Sequence, residues 1–300
     1  MRNRKLLPLA CLCLSAAFGC GRSMIKTRVA AGTTYARPQA GPSAAERARM
    51  ERNCFMGCPK LDPNGSGYGP ATALIARDGY VLEHSSLEKI PVWVAEHVMA
   101  AQLGGGLARD DKFQPDPALK PGTRAELADY KSSGYDRGHQ APAGNQTRDA
   151  RLKSETFYLS NMVPQTPRMN QQIWRELETL ARDWTLKYGE TYQITGPMFY
   201  DPKEDDPRSA DGTVSYKSIG KDHVAVPTHI YKIVLARRSA GGPWEAIAFV
   251  MQNKLYSKPF RFDQYIQPIE WIERRTGIDF NPDMPLAEQR KLERAVPQMW

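Results

Sequence analysis

Between residues 170 and 187, Ile173, Leu177, Leu180, Ala181 and Trp184 recur at steps of three and four. That spacing puts them on one face of an α-helix, and such a face has to be buried against a second layer. The flanking sequence supplies strands for that layer. Residues 74–77 and 80–84 read as short strands turned at Asp78-Gly79. Residues 157–163 read as a short buried strand, and 191–195 as a strand stopped by Gly196-Pro197. Two long strands are expected at 224–237 and 244–252. Residues 92–101 have helical spacing, and 268–275 form a helix closed by Gly277. Residues 103–122 and 201–211 read as loops. Helices and strands are interspersed without a regular β-α-β rhythm or internal repeat. The expectation is therefore one mixed α+β domain over residues 52–300, not a doubly wound sheet.

The first twenty residues read as a signal peptide. Basic Arg2, Arg4 and Lys5 precede the apolar run 6–18, which is too short for an ordinary membrane span. The run ends in Gly19-Cys20, which suits a bacterial lipoprotein cleavage site with Cys20 as the lipidated N-terminus. The expected location is then periplasmic or outer-membrane, with a lipid anchor; plain secretion is the alternative. Residues 21–51, rich in Ala, Gly, Arg and Ser, show no strand pattern and read as a flexible tether with a short helix at 44–51. The formal net charge is +8, of which the signal segment supplies three, leaving +5. An excess of that size suits a polyanionic partner and equally suits plain solubility.

Of five cysteines, Cys11 and Cys13 lie in the apolar run, and only Cys54 and Cys58 fall in the body of the chain. Their spacing allows a tight disulfide loop turned at Gly57, in keeping with an oxidising compartment. A metal site fits less well, because no second Cys/His pair is near, and a redox motif has two intervening residues, not three.

The chemistry-bearing residues lie between 135 and 182. The first block is Tyr135-Asp136-Arg137-Gly138-His139, the second runs 157–165 and contains Asn161, and the third runs from Asn170 through Trp174 and Glu178 to Arg182. Cutting a phosphodiester requires a base for the attacking water, cations for the charge on phosphorus, and help for the departing oxygen. A neutral His suits the first task, Arg the second and magnesium the third. Arg137 and His139 are two apart and on a strand would share a face. Asn170 opens the helix and can offer a carbonyl oxygen to a cation, with Glu178 and Arg182 two and three four-residue steps further along a slowly rotating stripe. Each residue also has a plainer reading. His84, His97, His223 and His229 compete with His139, and Asn170 and Glu178 read equally as a helix cap and a surface charge. The ordered set is what favours chemistry.

Taken together, Asp136-Arg137-Gly138-His139, Asn161 and Asn170-x3-Trp174-x3-Glu178 resemble the DNA/RNA non-specific endonucleases of the ββα-metal (His-Me finger) superfamily. The resemblance covers roughly residues 52–280 and touches both the secreted bacterial members and the mitochondrial endonuclease G branch. Cys54 and Cys58 resemble the N-terminal disulfide loop of the secreted members. The resemblance implies a central, mostly antiparallel sheet flanked by helices. It implies His139 as general base, and Asn170 as the direct ligand of one Mg2+ (Mn2+ substituting) with Glu178 holding the ion through water. It also implies Arg137 and Arg182 on phosphate, Asn161 as support, DNA and RNA as substrates, and 5′-phosphate products. Arg109 is the candidate for a further substrate contact upstream. Phe157 stands where some secreted members carry Asn, a departure shared with the endonuclease G branch. Homodimers are also in keeping with the resemblance. The competing reading is a catalytically inactive nucleic-acid-binding surface lipoprotein, which would bind with salt sensitivity and cut nothing. A zinc enzyme lacks the clustered ligands it would need.

Overall fold

The structure is a computed structural model that describes residues 41–62, 72–108, 112–205 and 213–300, with the backbone of strand β1 (Ser23–Thr27). The signal segment with Cys20, and Arg109, lie outside the described residues. Within the stretch read as a tether, β1 pairs antiparallel with residues 213–217. Helix α1 (Ala44–Asn53) closes that stretch. It begins at a reciprocal cap: the Ser43 hydroxyl accepts from the Glu46 N–H, and the Glu46 carboxylate accepts from the Ser43 N–H. At its other end Cys54 and Cys58 are disulfide-bonded with Cα atoms 4.8 Å apart. Met56 and Gly57, both at positive φ, turn that loop.

Past the short β2 (Lys60–Leu61), three strands run up and down: β3 (Thr72–Ala76), β4 (Val81–Ser85) and β5 (Ile90–Met99). A one-turn helix α2 (Leu127–Tyr130), strand β6 (Asp136–His139), helix α3 (Ala150–Glu155) and strand β7 (Met162–Gln165) follow. A π-helical turn, Met169–Trp174, runs directly into α4 (Arg175–Tyr188). The chain continues through β8 (Glu190–Met198), β9 (Thr213–Ile219), β10 (Val224–Ala225), β11 (His229–Arg237) and β12 (Trp244–Gln252). It closes with α5 (Ile269–Thr276), β13 (Ile278–Asp279) and α6 (Leu286–Arg294).

Six strands form one antiparallel sheet in the order β12-β11-β8-β5-β4-β3. Its two faces build two cores. Ile230, Val234, Ile247 and Phe249 share one with Leu177, Ala181 and Trp184 of α4. Trp93, Ala95, Ile233 and Leu235 share the other with Ile269 and Ile272 of α5 and with Phe55 inside the disulfide loop. The result is an α+β fold of three layers: the helix that ends the sequence motif, the sheet, and a far layer of helices.

Residues 92–101 are a correction, for they form most of β5 and its exit, not a helix. The strand is buried on both faces, so its apolar residues lose a strand's alternation and satisfy a helical period by accident. The β-branched and aromatic content of Val92, Trp93 and Val94 is the better guide. Strand β8 likewise runs through Gly196-Pro197 to Met198. Pairing with β5 stops at Thr195, while pairing with β11 continues through Pro197 to Met198. Gly196 lies where a Cβ would collide with the Tyr231 ring. Residues 157–163 are mostly turn, with β7 starting only at Met162. The long strand expected from 224 is broken by Pro227 into β10 and β11.

Candidate active site

Strand β6 lies antiparallel to β7, with Gly138 opposite Val163 and His139 opposite Met162. A Cβ on Gly138 would fall inside the buried Gln165 side chain, so glycine is what lets the two strands close at this point. The chain leaving His139 is clamped by Asn161, which is fully buried. Its Oδ1 accepts from the Ala141 N–H at 2.9 Å, and its Nδ2 donates to the Ala141 and Thr156 carbonyls, both at 2.9 Å. Its own carbonyl accepts from the Gln140 N–H at 3.0 Å. One carboxamide thereby ties the segment after the histidine to the turn that enters β7.

The half-buried His139 ring is braced by two aromatic rings. Phe157 meets it edge-on, with centroids 5.0 Å apart and planes at 89°, and Phe113 lies 5.6 Å away. Phe113 also carries the Arg137 guanidinium over its face at 4.2 Å. A ring in the place of Phe157 thus orients the imidazole by packing, where a polar residue would do so by a hydrogen bond.

Asn170 sits in the π-helical turn, a distortion that recurs at functional positions because it re-aims side chains. Its Nδ2 donates to Asp136 Oδ2 at 2.9 Å, and Gln171 Nε2 donates to the same oxygen at 2.8 Å. With its nitrogen committed to Asp136, the amide turns its carbonyl oxygen the other way. On α4, Leu177, Ala181 and Trp184 are buried and Glu178 and Arg182 flank that stripe one turn apart. Arg182 Nη2 donates to Thr179 Oγ1 at 2.9 Å.

His139, Arg137, Asn170, Glu178 and Arg182 all line one cleft of about 880 Å³. Its lining holds the cations Lys131, Arg137, Lys153, Arg175 and Arg182 against the carboxylates Asp136 and Glu178, so the field inside favours an anionic guest. Asn161 stands behind the cleft wall, buried, and does not line it. The oxygen donors of Asn170 and Glu178 suit a hard divalent cation that keeps much of its water. Asp136, Phe113 and Gln165 carry structural roles that the sequence reading left unassigned. Asp136 belongs to the motif itself and could have been found there, whereas Phe113 lies in a segment with no periodicity.

Residues 60–287 match the model of the DNA/RNA non-specific endonuclease family. The chain is 39% identical to human mitochondrial endonuclease G over 212 residues, covering 70% of each chain. It is 38% identical to the mitochondrial nuclease EXOG of Danio rerio over 205 residues, 68% of this chain and 59% of that protein. Among solved structures it matches the EndoG/EndoGI complex, in which EndoG is inhibited, with a TM-score of 0.69 and 32% identity. That match covers 82% of this chain and 95% of the other.

Proposed function

Because the chain belongs to the DNA/RNA non-specific endonuclease family and is a phosphodiesterase of the endonuclease G kind, we propose that it hydrolyses DNA and RNA at the cleft around His139 with one Mg2+ ion, leaving 5′-phosphate ends. What carries this reading is that His139, Asn170 and Glu178, from a strand, a π-helical turn and an α-helix, line the same cation-rich cleft.

His139 takes a proton from the attacking water as its oxygen forms a bond to phosphorus. The bond from phosphorus to the 3′-oxygen breaks with its electron pair on oxygen, and that oxygen takes a proton from solvent water to leave as a hydroxyl. Arg137 and Arg182 contact the phosphate oxygens, where guanidinium forks match the charge that builds up in the transition state. Asn170 would hold the ion directly and Glu178 through water. Bound there, Mg2+ or Mn2+ supplies a Lewis acid for the departing oxygen. The disulfide Cys54–Cys58 supports an oxidising compartment, in keeping with the export read from residues 1–20.

The test is cleavage of supercoiled plasmid and of RNA by residues 21–300, with and without a chelator. The wild type cuts both, a chelator stops it, and added Mg2+ restores it. His139→Ala lowers the rate by at least about 100-fold, as loss of a general base does, with an unchanged circular-dichroism spectrum. A His139→Ala protein that cuts within a few-fold of wild type overturns the assignment. A wild type that binds plasmid but never nicks it favours the inactive binding protein instead.

A further inference from the structure

Under the cleft, the central sheet carries a polar layer that the proposed chemistry does not use. Glu96 on β5 and Lys232 on β11 are both buried, and the β8 residues facing them are Gln193 and Thr195. Lys232 Nζ donates to Thr195 Oγ1 at 2.6 Å and to Gln193 Oε1 at 3.3 Å. Gln193 Nε2 donates to Thr191 Oγ1 at 3.1 Å, and that hydroxyl lies 2.7 Å from the Thr185 hydroxyl of α4. Glu96 Oε1 accepts from Asn145 Nδ2 at 2.9 Å, while its Oε2 has no hydrogen-bond partner among the described residues. Keeping an acid and a lysine under a helix is costly, and apolar groups of similar volume would often serve stability as well or better. Val94 and Val98, two residues either side on the same strand, are the apolar alternative.

Asn145 ends the turn Ala143–Asn145, which closes the segment leaving His139. The turn is held by the Asn145 N–H on the Pro142 carbonyl at 3.0 Å and the Gln146 N–H on the Ala143 carbonyl at 3.2 Å. Ala143 and Gly144 form part of the cleft wall. A Cβ on Gly144 would stand 3.0 Å from Arg182 Nη1, so the Arg182 guanidinium lies directly against this turn. A chain of contacts therefore runs from the middle of the sheet, through Asn145 and Gly144, to a cation of the cleft.

We infer that Glu96 is a positioning residue for the cleft, fixing through Asn145 the turn that seats the Arg182 guanidinium and bounds the chain leaving His139. The catalytic half of this inference rests on the nuclease reading above; the anchoring of the turn does not.

The experiment compares Glu96→Gln, which keeps an oxygen acceptor for Asn145, with Glu96→Leu, which does not. Glu96→Leu/Lys232→Met is the companion variant, since it leaves no unpaired buried lysine and folds where the single change fails. Plasmid cleavage gives kcat and KM. Hydrogen exchange at the Asn145 and Gln146 amides reports the turn, and thermal denaturation reports stability. Loss of the acceptor lowers kcat by about 10- to 100-fold, the scale of a misplacement near 1 Å. KM stays within about three-fold, the two amides exchange faster, and Glu96→Gln restores all of these to near wild-type values. Wild-type kcat in a folded Glu96→Leu or Glu96→Leu/Lys232→Met protein overturns the positioning role, even if its melting temperature falls. Unchanged exchange at Asn145 and Gln146 overturns the anchor. A wild type that fails to cut counts against the nuclease reading, and exchange then still decides whether Glu96 holds the turn.

Discussion

Gly138 shows how closely one position can be determined. It separates Arg137 from His139, and the buried Gln165 side chain occupies the space that any Cβ would need. Gly138→Ala therefore forces Gln165 or the two strands apart. Overpacking of this kind costs about 1–3 kcal/mol, and it displaces the strand pair that carries His139. The expected outcome is a lower melting temperature together with reduced cleavage, both partly recovered in Gly138→Ala/Gln165→Ala. A double variant no better than Gly138→Ala would show that the side-chain collision is not the constraint. At this scale the sequence was readable where chemistry restricts residue type. His139 and Asn170 stand out because few side chains can act as a base at neutral pH or offer an amide oxygen at a helix start. Asp136 was in plain view beside them, but its role depends on where Asn170 and Gln171 fall in space. Phe113 gave no signal, since its contacts with Arg137, His139 and Phe157 join segments distant in sequence.

The element that matters most to the site is irregular. A helix over 170–187 was legible from its apolar stripe, but its first turns are π-helical over Met169–Trp174. No apolar spacing announces a π turn, because Met169, Ile173 and Trp174 are buried there much as they would be on an α-helix. The extra residue does change where Asn170 points relative to Glu178. Deleting Gln172 removes the excess and lets the segment run as α-helix, rotating Asn170 by about 100° about the axis. Cleavage is expected to fall by more than about 100-fold, as reacting groups lose their alignment, while helix content by circular dichroism is retained. Wild-type activity after the deletion would show that the π turn has no part in the site. The strand misread at 92–101 has a related origin. A strand covered on both faces loses the alternation by which strands are recognised, and the three-layer arrangement explains why β5 is buried along nearly its whole length.

Across the whole molecule, two populations of ionisable groups pull stability in opposite directions with pH. In the far helical layer, burial raises Glu273 of α5 to about 7, helped by the charges of Asp279 and Glu270. Burial and the neighbouring Glu273 raise Glu293 of α6 to about 8. A carboxyl raised above its unfolded value near 4.5 makes the folded state the better proton holder. Its contribution is complete below that value and is lost as pH climbs through 7 to 8. His84 and His229 are depressed to about 4, both by burial, so they are neutral in the fold and charge more readily in the unfolded chain. Their contribution is complete above pH 6.5 and is lost as pH falls toward 4. Below pH 6.5 the two sets oppose each other; above it the raised carboxyls act, with Glu96 of β5, which burial raises to about 7, adding to the pair. The melting temperature should therefore fall most steeply between pH 6.5 and about 8. Glu293→Gln removes one member of the pair with little change of shape. At pH 8.5 it should melt about 2–4 °C above wild type, the shift that about 1 kcal/mol produces in a domain of this size. At pH 5 the difference should shrink, because the wild-type carboxyl is already protonated there. An equal loss of melting temperature at both pH values would mean that Glu293 is held for its hydrogen bonds, and that the steep alkaline limb has another source.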